Sequence, residues 1–439
     1  MDDIERHVNA LLAALGLGEA RNLTALSGGA SRRTWSLDAS GGAHPGLILR
    51  HDPPGAPDPA AMAKEAACLR AARDAGVPVP ALVDHGAGTD RFPLPYLLME
   101  RLDGETIPRR LLRDPALAEV RAALPYMLGR ILAAIHAIDV GGLDDVPAVE
   151  AIEDLVRVYH GLDEPRPSVE IGLRWLAEHR PPPGSVALVH GDFRNGNLVV
   201  GASGVRGVLD WELAHVGDPV EDLGWLCVRA WRFGSAEPVG GFGPRSELLR
   251  GYAEGGGRVP DADTLRWWEA FGTLRWLVLC RLQAERARSG AERSVELTVL
   301  GRRVCEQEHD LLAMVGGELP AASPVEPAAV AGPHDWPSAV ELLDAARGFL
   351  DTELSEVDSR TRFLARVSAN ALRIAAREWR LGPALAERHR VRLAGLGRAT
   401  EAELALAIRA GELDHRYPEV VDAVRHTVAD KLLVANPSY

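Results

Sequence analysis

Lysine is nearly absent from this chain. Lys64 and Lys431 are the only two in 439 residues, so almost all of the basic charge is arginine. Arginine stays protonated and presents a planar fork, so any centre that needs a point-charge amine must be built differently here. Cysteine is also scarce: Cys68, Cys227, Cys280 and Cys305 lie far apart, in apolar or helical contexts, with no CxxC or metal-ligand spacing. That argues against a disulfide framework or a zinc site and predicts buried, reduced thiols. Long apolar runs are missing as well. The best window, FGTLRWLVLC, is interrupted by Arg275, so no membrane-crossing helix is expected. Net positive charge is lacking too: the formal charge is -13, which disfavours nucleic acid and anionic membranes as partners. The leading MDDIERHVNALLAALGLG is acidic and amphipathic, without the basic region or cleavage site of a secretory signal, so a cytoplasmic location is expected.

What is present is ordinary globular material, 46% hydrophobic and 25% charged, with length enough for two or three domains. A 3.6-residue stripe of Ile4, Val8, Leu11, Leu12 and Leu15 predicts a first helix over 3–16. Short strand signals follow in NLTALSGG, TWSLDA and GLILRH, separated by turn residues, as in an antiparallel sheet. DPAAMAKEAACLRAARDAG reads as a helix capped by Asp58 and stopped at Gly76, and YLLMERLDG as one more strand. From about residue 108 the pattern becomes helical, broken only by short β-branched runs around 187–210. GGELPAASPVEPAAVAGPHD, residues 316–335, has no periodicity and reads as a linker. Four or five further helices follow, with SRTRFLARVSANALRIAAREWRL and PALAERHRVRLAGL read separately and Asp335, Ser338 and Thr400 as caps. The expected division is 1–102, 103–315, a linker at 316–335 and a separate helical domain at 336–439.

Two stretches carry polar residues that a core does not want. LVHGDFRNGNLVV, from Leu188, and GVLDWELAHVGDP, from Gly207, place Asp192, Asn195, Asn197 and Asp210 at the ends of short apolar strands. If the two are adjacent, Asn197 and Asp210 supply the small oxygen set that Mg2+ takes from a protein, with phosphate and water completing the octahedron. Asp192 is then free to orient an attacking hydroxyl or accept its proton. The bland alternative is a polar hairpin with ordinary Asx turns.

These motifs together resemble the aminoglycoside phosphotransferase family, relatives of the protein kinases. HGDFRNGN, His190 to Asn197, is similar to that family's HGDxxxxN loop, and LDWELAHVGDPVEDLGWL, Leu209 to Leu226, to its metal-binding segment. The resemblance covers roughly residues 20 to 310. It implies an α+β, bilobal protein-kinase-like fold, a small antiparallel-sheet lobe and a larger helical one, with the all-α C-terminal domain appended. It also implies ATP in the cleft and phosphoryl transfer to a small-molecule hydroxyl. On this reading Asp192 matches the catalytic aspartate, Asn197 and Asp210 the Mg2+ ligands. Asp218 and Asp222 match structural positions, Asp222 as a helix cap, and His190 braces the loop. LSGGASRRTWSL occupies the place of the nucleotide-covering loop, where Gly28, Gly29 and Ser31 would approach phosphate oxygens. The strand GLILRH should carry a phosphate-holding lysine; the position is Arg50, with Glu65 matching its acidic partner. Lys64 lies on the helix beside Glu65 and cannot take that place. An arginine there can still grip phosphate, but its bulk leaves the choice between ATP and GTP open. Arg194 stands where protein kinases carry a catalytic-loop lysine and could stabilise the transferring phosphoryl group. The backbone near Met99, Glu100 and Arg101 fits an adenine-binding hinge.

Trp211, Trp225, Trp231, Trp267, Trp268 and Trp276 read mainly as core, some of them lining an acceptor pocket with Glu212. The helix-ending HAID at 136–139 reads as structural. GDPVEDLGWL and GGASRRTWSL look more like the branch whose relatives are joined to acyl-CoA dehydrogenases, which favours a hydroxyacyl-type acceptor over an antibiotic. An aminoglycoside kinase is the second reading, and a catalytically weak nucleotide-binding scaffold the third. The C-terminal domain resembles a small helical appendage of such kinases. Homodimerisation, a lid and partner docking are the roles open to it.

Overall fold

The computed structural model describes residues 2–26, 32–41, 46–89, 91–326, 337–352, 354 and 357–439. The chain opens with α1 (Asp2–Ala14), β1 (Ala20–Leu26), β2 (Arg33–Ala39), β3 (Gly46–His51), α2 (Pro59–Asp74), β4 (Leu82–Ala87) and β5 (Pro95–Glu100). The five strands form one antiparallel sheet in the order β1-β2-β3-β5-β4. Alternation along β3 buries Leu47 and Leu49 against Val8, Leu11 and Leu12 of α1. The same alternation sends Arg50 to the opposite face, toward α2. Asp58 caps α2 as expected, its Oδ1 accepting from the Ala61 N–H at 2.9 Å. The strand at β4 has no counterpart in the sequence reading. Asp84, His85 and Gly86 break the apolar alternation, which an edge strand can do without; pairing with β5 and the Tyr96 hydroxyl on Asp84 at 2.6 Å supply its hold.

Helices α3 (Pro108–Arg113), α4 (Ala118–His136), α5 (Ala151–Gly161) and α6 (Pro167–Glu178) follow. Then come four short strands, β6 (Ala187–Val189), β7 (Leu198–Gly201), β8 (Gly204–Val208) and β9 (His215–Gly217). They pair as two antiparallel ribbons, β6 with β9 and β7 with β8. Next are α7 (Val220–Cys227), α8 (Arg245–Glu254), α9 (Ala262–Arg288), α10 (Val295–Leu300) and α11 (Val304–Gly316). The helix expected across DLGWLCVRAWRF stops at Cys227, because Val228 is extended (φ -57°, ψ 135°), and a single tight turn, Arg229–Arg232, follows.

The last helices are α12 (Ala339–Thr352), α13 (Ser359–Gly395), α14 (Glu401–Arg409) and α15 (Tyr417–Ala435). Ser338 and Thr400 cap as expected; Asp335 lies outside the described residues. The two helices read on either side of Pro383 are one: α13 runs straight through it. Packing on both flanks, at Ile374 and Leu393, outweighs the single hydrogen bond that proline removes.

Packing divides the chain into two units. One comprises Met1–Glu150 and Pro181–Glu269, the other Ala151–Arg180 and Ala270–Tyr439. In the second, Ile171 of α6 and Leu312 of α11 are buried in one cluster with Leu393, Leu404, Val424 and Val428. Helices α13, α14 and α15 thus share a core with α6 and α11. All four cysteines are buried and free, as expected, and no helix among the described residues is long and apolar enough to cross a membrane.

A buried ionic group ties this second unit together. Glu308 accepts from the Ser168 hydroxyl at 2.9 Å and from Arg166 at 3.2 Å, and Lys431 Nζ stands 3.5 Å away. Burial alone would push its carboxyl up, but Lys431 and Arg166 outweigh that and draw it down to about 2. A carboxylate held below its unfolded value stabilises fully above the ordinary glutamate range and loses that contribution as the pH falls through the folded value. Calorimetric unfolding between pH 5 and pH 2 is expected to show a loss of about 3 kcal/mol traceable to this group. Glu308→Gln should flatten that part of the profile while lowering stability at neutral pH.

Candidate active site

The HGD loop sits between β6 and β7, and its backbone is held by a carboxylate from another element. Asp222, fully buried in α7, accepts from the His190 N–H at 2.7 Å and the Gly191 N–H at 3.0 Å. His136, at the end of α4, stands 3.2 Å from Asp222 Oδ2 and 2.9 Å from the Tyr252 hydroxyl. Burial would raise the Asp222 carboxyl, but His136, His190 and the loop amides hold it below the usual range. Asp222 is expected from sequence to cap a helix; instead α7 starts behind Pro219 with no side-chain cap, Asp218 accepting from the Val220 N–H at 2.9 Å in a local turn, and Asp222 serves the loop. Gly191 adopts φ +77°, and a Cβ there would lie 2.4 Å from the Leu213 carbonyl oxygen, so only glycine lets the two segments approach this closely.

His190 is buried, and burial pushes its imidazole down toward the neutral form. Its Nε2 lies 3.1 Å from the Leu209 carbonyl and its Nδ1 accepts from the Asp192 N–H at 3.2 Å, so it braces the loop as expected. The Leu209 N–H in turn donates to Asn197 O at 2.9 Å. That places Asp210, the next residue, beside Asn197.

Three donors fix the Asp192 carboxylate. Oδ1 accepts from Arg194 Nε at 2.8 Å and from Trp225 Nε1 at 2.9 Å; Oδ2 accepts from Asn197 Nδ2 at 2.6 Å. The Arg194 guanidinium also lies 4.5 Å above the Trp231 ring, whose centroid is 5.1 Å from that of Trp225 with the two planes tilted by 52°. Asn195 donates to Gly240 O at 2.8 Å, tying the loop to the segment after α7. Asp210 sits in the left-handed region, φ 67° and ψ 68°, an uncommon conformation for a residue with a Cβ. Among the described residues no hydrogen bond reaches Asn197 Oδ1 or Asp210 Oδ2. One amide oxygen and one carboxylate oxygen suit Mg2+, which prefers few protein ligands and keeps phosphate and water for the rest.

Arg50 joins this group from β3. Its Nη1 donates to Glu65 Oε1 at 2.7 Å and its Nη2 to Asp210 Oδ1 at 2.9 Å. Burial works against its charge, but Glu65 and Asp210 more than compensate, and the guanidinium is held more firmly protonated than usual. Reciprocally, burial would raise Asp210 but Arg50 holds its carboxyl below the ordinary range. Lys64 points elsewhere, donating to the carbonyls of Glu212 at 2.7 Å and Ala214 at 3.1 Å. It pins α2 to the turn that follows Asp210.

Of the residues proposed from sequence, Asp192, Arg194, Asn197, Asp210, Arg50 and Glu65 thus form one connected network. Gly28, Gly29 and Ser31 lie outside the described residues. Glu100 ends β5 and Arg101 follows it, their amides spent on Ala81 O and Gly46 O, both at 2.9 Å, and the Arg101 side chain is paired with Asp38 at 2.7 Å. Two contributors went unread. Trp225 passed as core, since nothing in its spacing marks an indole N–H aimed at a carboxylate. Arg32 donates to Glu65 and to Asp52, and only its place just after the glycine-rich stretch could have flagged it.

Residues 22–271 match the family described as the phosphotransferase enzyme family, and residues 355–439 a domain of unknown function, DUF6285. The chain belongs to the phosphotransferase enzyme family. Its curated relatives include acyl-CoA dehydrogenase family member 10 of Mus musculus, 26% identical over 329 residues, covering 69% of this chain and 30% of that protein. Acyl-CoA dehydrogenase family member 11 of Gallus gallus is 30% identical over 216 residues, 45% of this chain and 27% of that one. The chain therefore spans less than a third of the length of these relatives. A thermostable mutant of aminoglycoside phosphotransferase APH(4)-Ia, solved with AMP-PNP and hygromycin B, aligns with a TM-score of 0.52 at 19% identity, covering 72% of this chain and 100% of that one. The fold is the kinase-like one of these phosphotransferases.

Replacing Asp222 by alanine orphans two buried amides, a loss of about 3 kcal/mol or more. Hydrogen exchange at His190 and Gly191 should accelerate sharply in Asp222→Ala while the β1–β5 sheet keeps its protection.

Proposed function

We propose that the protein is a Mg2+- and ATP-dependent phosphotransferase that moves the γ-phosphoryl group onto a hydroxyl of a small molecule, and that this acceptor is a hydroxyacyl-type metabolite. The observation that carries the reading is the Asp192 carboxylate, clamped by three donors beside the uncommitted oxygens of Asn197 and Asp210. Family membership supports the same chemistry.

Bound Mg2+ would be held by Asn197 and Asp210 and would neutralise phosphate charge. The protein's own contribution is positioning. Asp192 receives the acceptor hydroxyl on Oδ2 and takes its proton as the oxygen bonds to the γ-phosphorus and the bridging bond to the leaving nucleoside diphosphate breaks. Arg50 grips phosphate through the Nη2 that otherwise rests on Asp210. Arg194, stacked on Trp231, holds Asp192 in orientation and places positive charge near the transferring group. Because the Glu100 and Arg101 N–H groups serve the sheet, a backbone N–H for the base comes from Leu102 onward.

Two observations favour a metabolite acceptor. The relatives in the comparison are acyl-CoA dehydrogenase family members. Between α7 and α8, residues 228–244 hold Arg229 and Arg232 against Glu237 alone, a poor surface for a polycationic drug. ATP is the proposed donor, with GTP as the alternative.

Purified protein should release ADP in a Mg2+-dependent manner when given a hydroxyacyl thioester from a panel of hydroxylated metabolites and aminoglycosides. Asp192→Asn should lower kcat about 10³-fold with nucleotide affinity little changed. Turnover of aminoglycosides alone would replace the metabolite reading with the antibiotic one. Nucleotide binding without any turnover would favour the scaffold.

A further inference from the structure

Glu65 of α2 meets two arginines instead of one lysine. Its side chain is 1% exposed; Oε1 accepts from Arg50 Nη1 at 2.7 Å, and Oε2 accepts from Arg32 Nη1. Arg32 is itself buried, and its Nε donates to Asp52 Oδ1 at 3.2 Å. Asp52 Oδ2 then accepts from the N–H of Asp58, the residue that caps α2, at 2.7 Å. A single guanidinium thus fastens the start of β2 to α2 twice, at its capped end and at Glu65. Arg32 also stands at the exit of the stretch where the nucleotide-covering loop is read.

Arg50 divides its fork between Glu65 and Asp210. Were Arg50 the lone partner of Glu65, a ligand phosphate that drew its guanidinium away would leave the buried carboxylate unpaired, a costly state. With Arg32 on the other oxygen, Glu65 keeps a counter-charge whatever Arg50 does. A lysine at position 32 has one ammonium and no rigid fork, so it cannot reproduce the bond to Asp52 and the bond to Glu65 with the same geometry.

We propose that Arg32 and Arg50 divide the work of one kinase-type lysine: Arg32 is the positioning residue that holds Glu65 and α2 against the start of β2, and so frees Arg50 to engage nucleotide phosphate. This rests on the phosphotransferase reading and adds Arg32 to the residues that shape the nucleotide site.

Calorimetric titration of the full chain with AMP-PNP and Mg2+ tests it without requiring an acceptor. Arg32→Ala should weaken binding about tenfold or more, the size of effect expected for losing a charged, buried hydrogen-bond pair. Arg32→Lys should fall between it and the wild type. The loss caused by Arg50→Ala should be smaller in the Arg32→Ala background than alone, because an unheld Arg50 contributes less. With an acceptor in hand, the nucleotide KM should rise more than kcat falls. A structural role alone would lower the unfolding temperature and leave the affinity of the folded fraction unchanged; that result, or fully additive losses, overturns the proposal. If Arg32→Ala does not fold, Arg32→Lys decides on the same readout. A wild-type chain that binds neither AMP-PNP nor a GTP analogue overturns the phosphotransferase reading and this inference with it, whereas wild-type binding matched by both Arg32 variants overturns this inference alone.

Discussion

A buried carboxylate with two backbone amides in its grip is what the candidate site hangs on. Asp222 brings negative charge into the interior of its unit, where it is tolerable only because His136 and the His190 and Gly191 amides surround it. The partners are committed in return. The His190 and Gly191 amides cannot reach another acceptor without abandoning a buried charge, so the loop carrying Asp192 inherits the rigidity of α7. From there the order propagates through hydrogen bonds: His190 to Leu209, Leu209 to Asn197, Asn197 to Asp192. Side chains from β3, α2, the HGD loop and the segment after β8 meet in one place with little freedom to drift.

The scarcity of lysine shapes this centre. A forked, permanently charged head can hold two acceptors at once, and Arg50 does so, spanning Glu65 and Asp210. The one lysine nearby, Lys64, is used for a different purpose, its ammonium bonded to two carbonyls on the turn after Asp210. Burial lowers its proton affinity, which a clamp on neutral carbonyls tolerates. The arrangement distributes positive charge over several fixed guanidiniums.

Much of the fold was legible because its signals are local. Short strand-like runs bounded by turn residues marked β1, β2, β3 and β5, and capping chemistry marked α2 and α14. The polar residues of the HGD and GVLDW stretches stood out because strand ends do not otherwise favour them. What escaped depended on contacts between distant segments. Strand β4 is held by its neighbour and not by its own pattern. Pro383 looked like a boundary because a missing N–H is visible in sequence while the packing that overrides it is not. Asp222 fitted a helix cap by position, yet its carboxylate turns to a loop some thirty residues upstream in the chain. Trp225 and Arg32 carry no motif at all; only the fold brings an indole N–H to Asp192 and a guanidinium to Glu65.

The segment that matches DUF6285, residues 355–439, holds α13, α14 and α15 but not Ile171 or Leu312, which complete their hydrophobic cluster. Arg409 of α14 likewise reaches back to Glu170 of α6, and Asn436 to Glu306 of α11. Cut out at its matched boundary, that segment would leave an apolar flank open to water and strip Arg409 and Asn436 of their partners. A recognisable stretch of sequence and a self-sufficient folding body are therefore different things in this protein. Transplanting the appendage onto another kinase would require the recipient to supply the helical surface on which it rests.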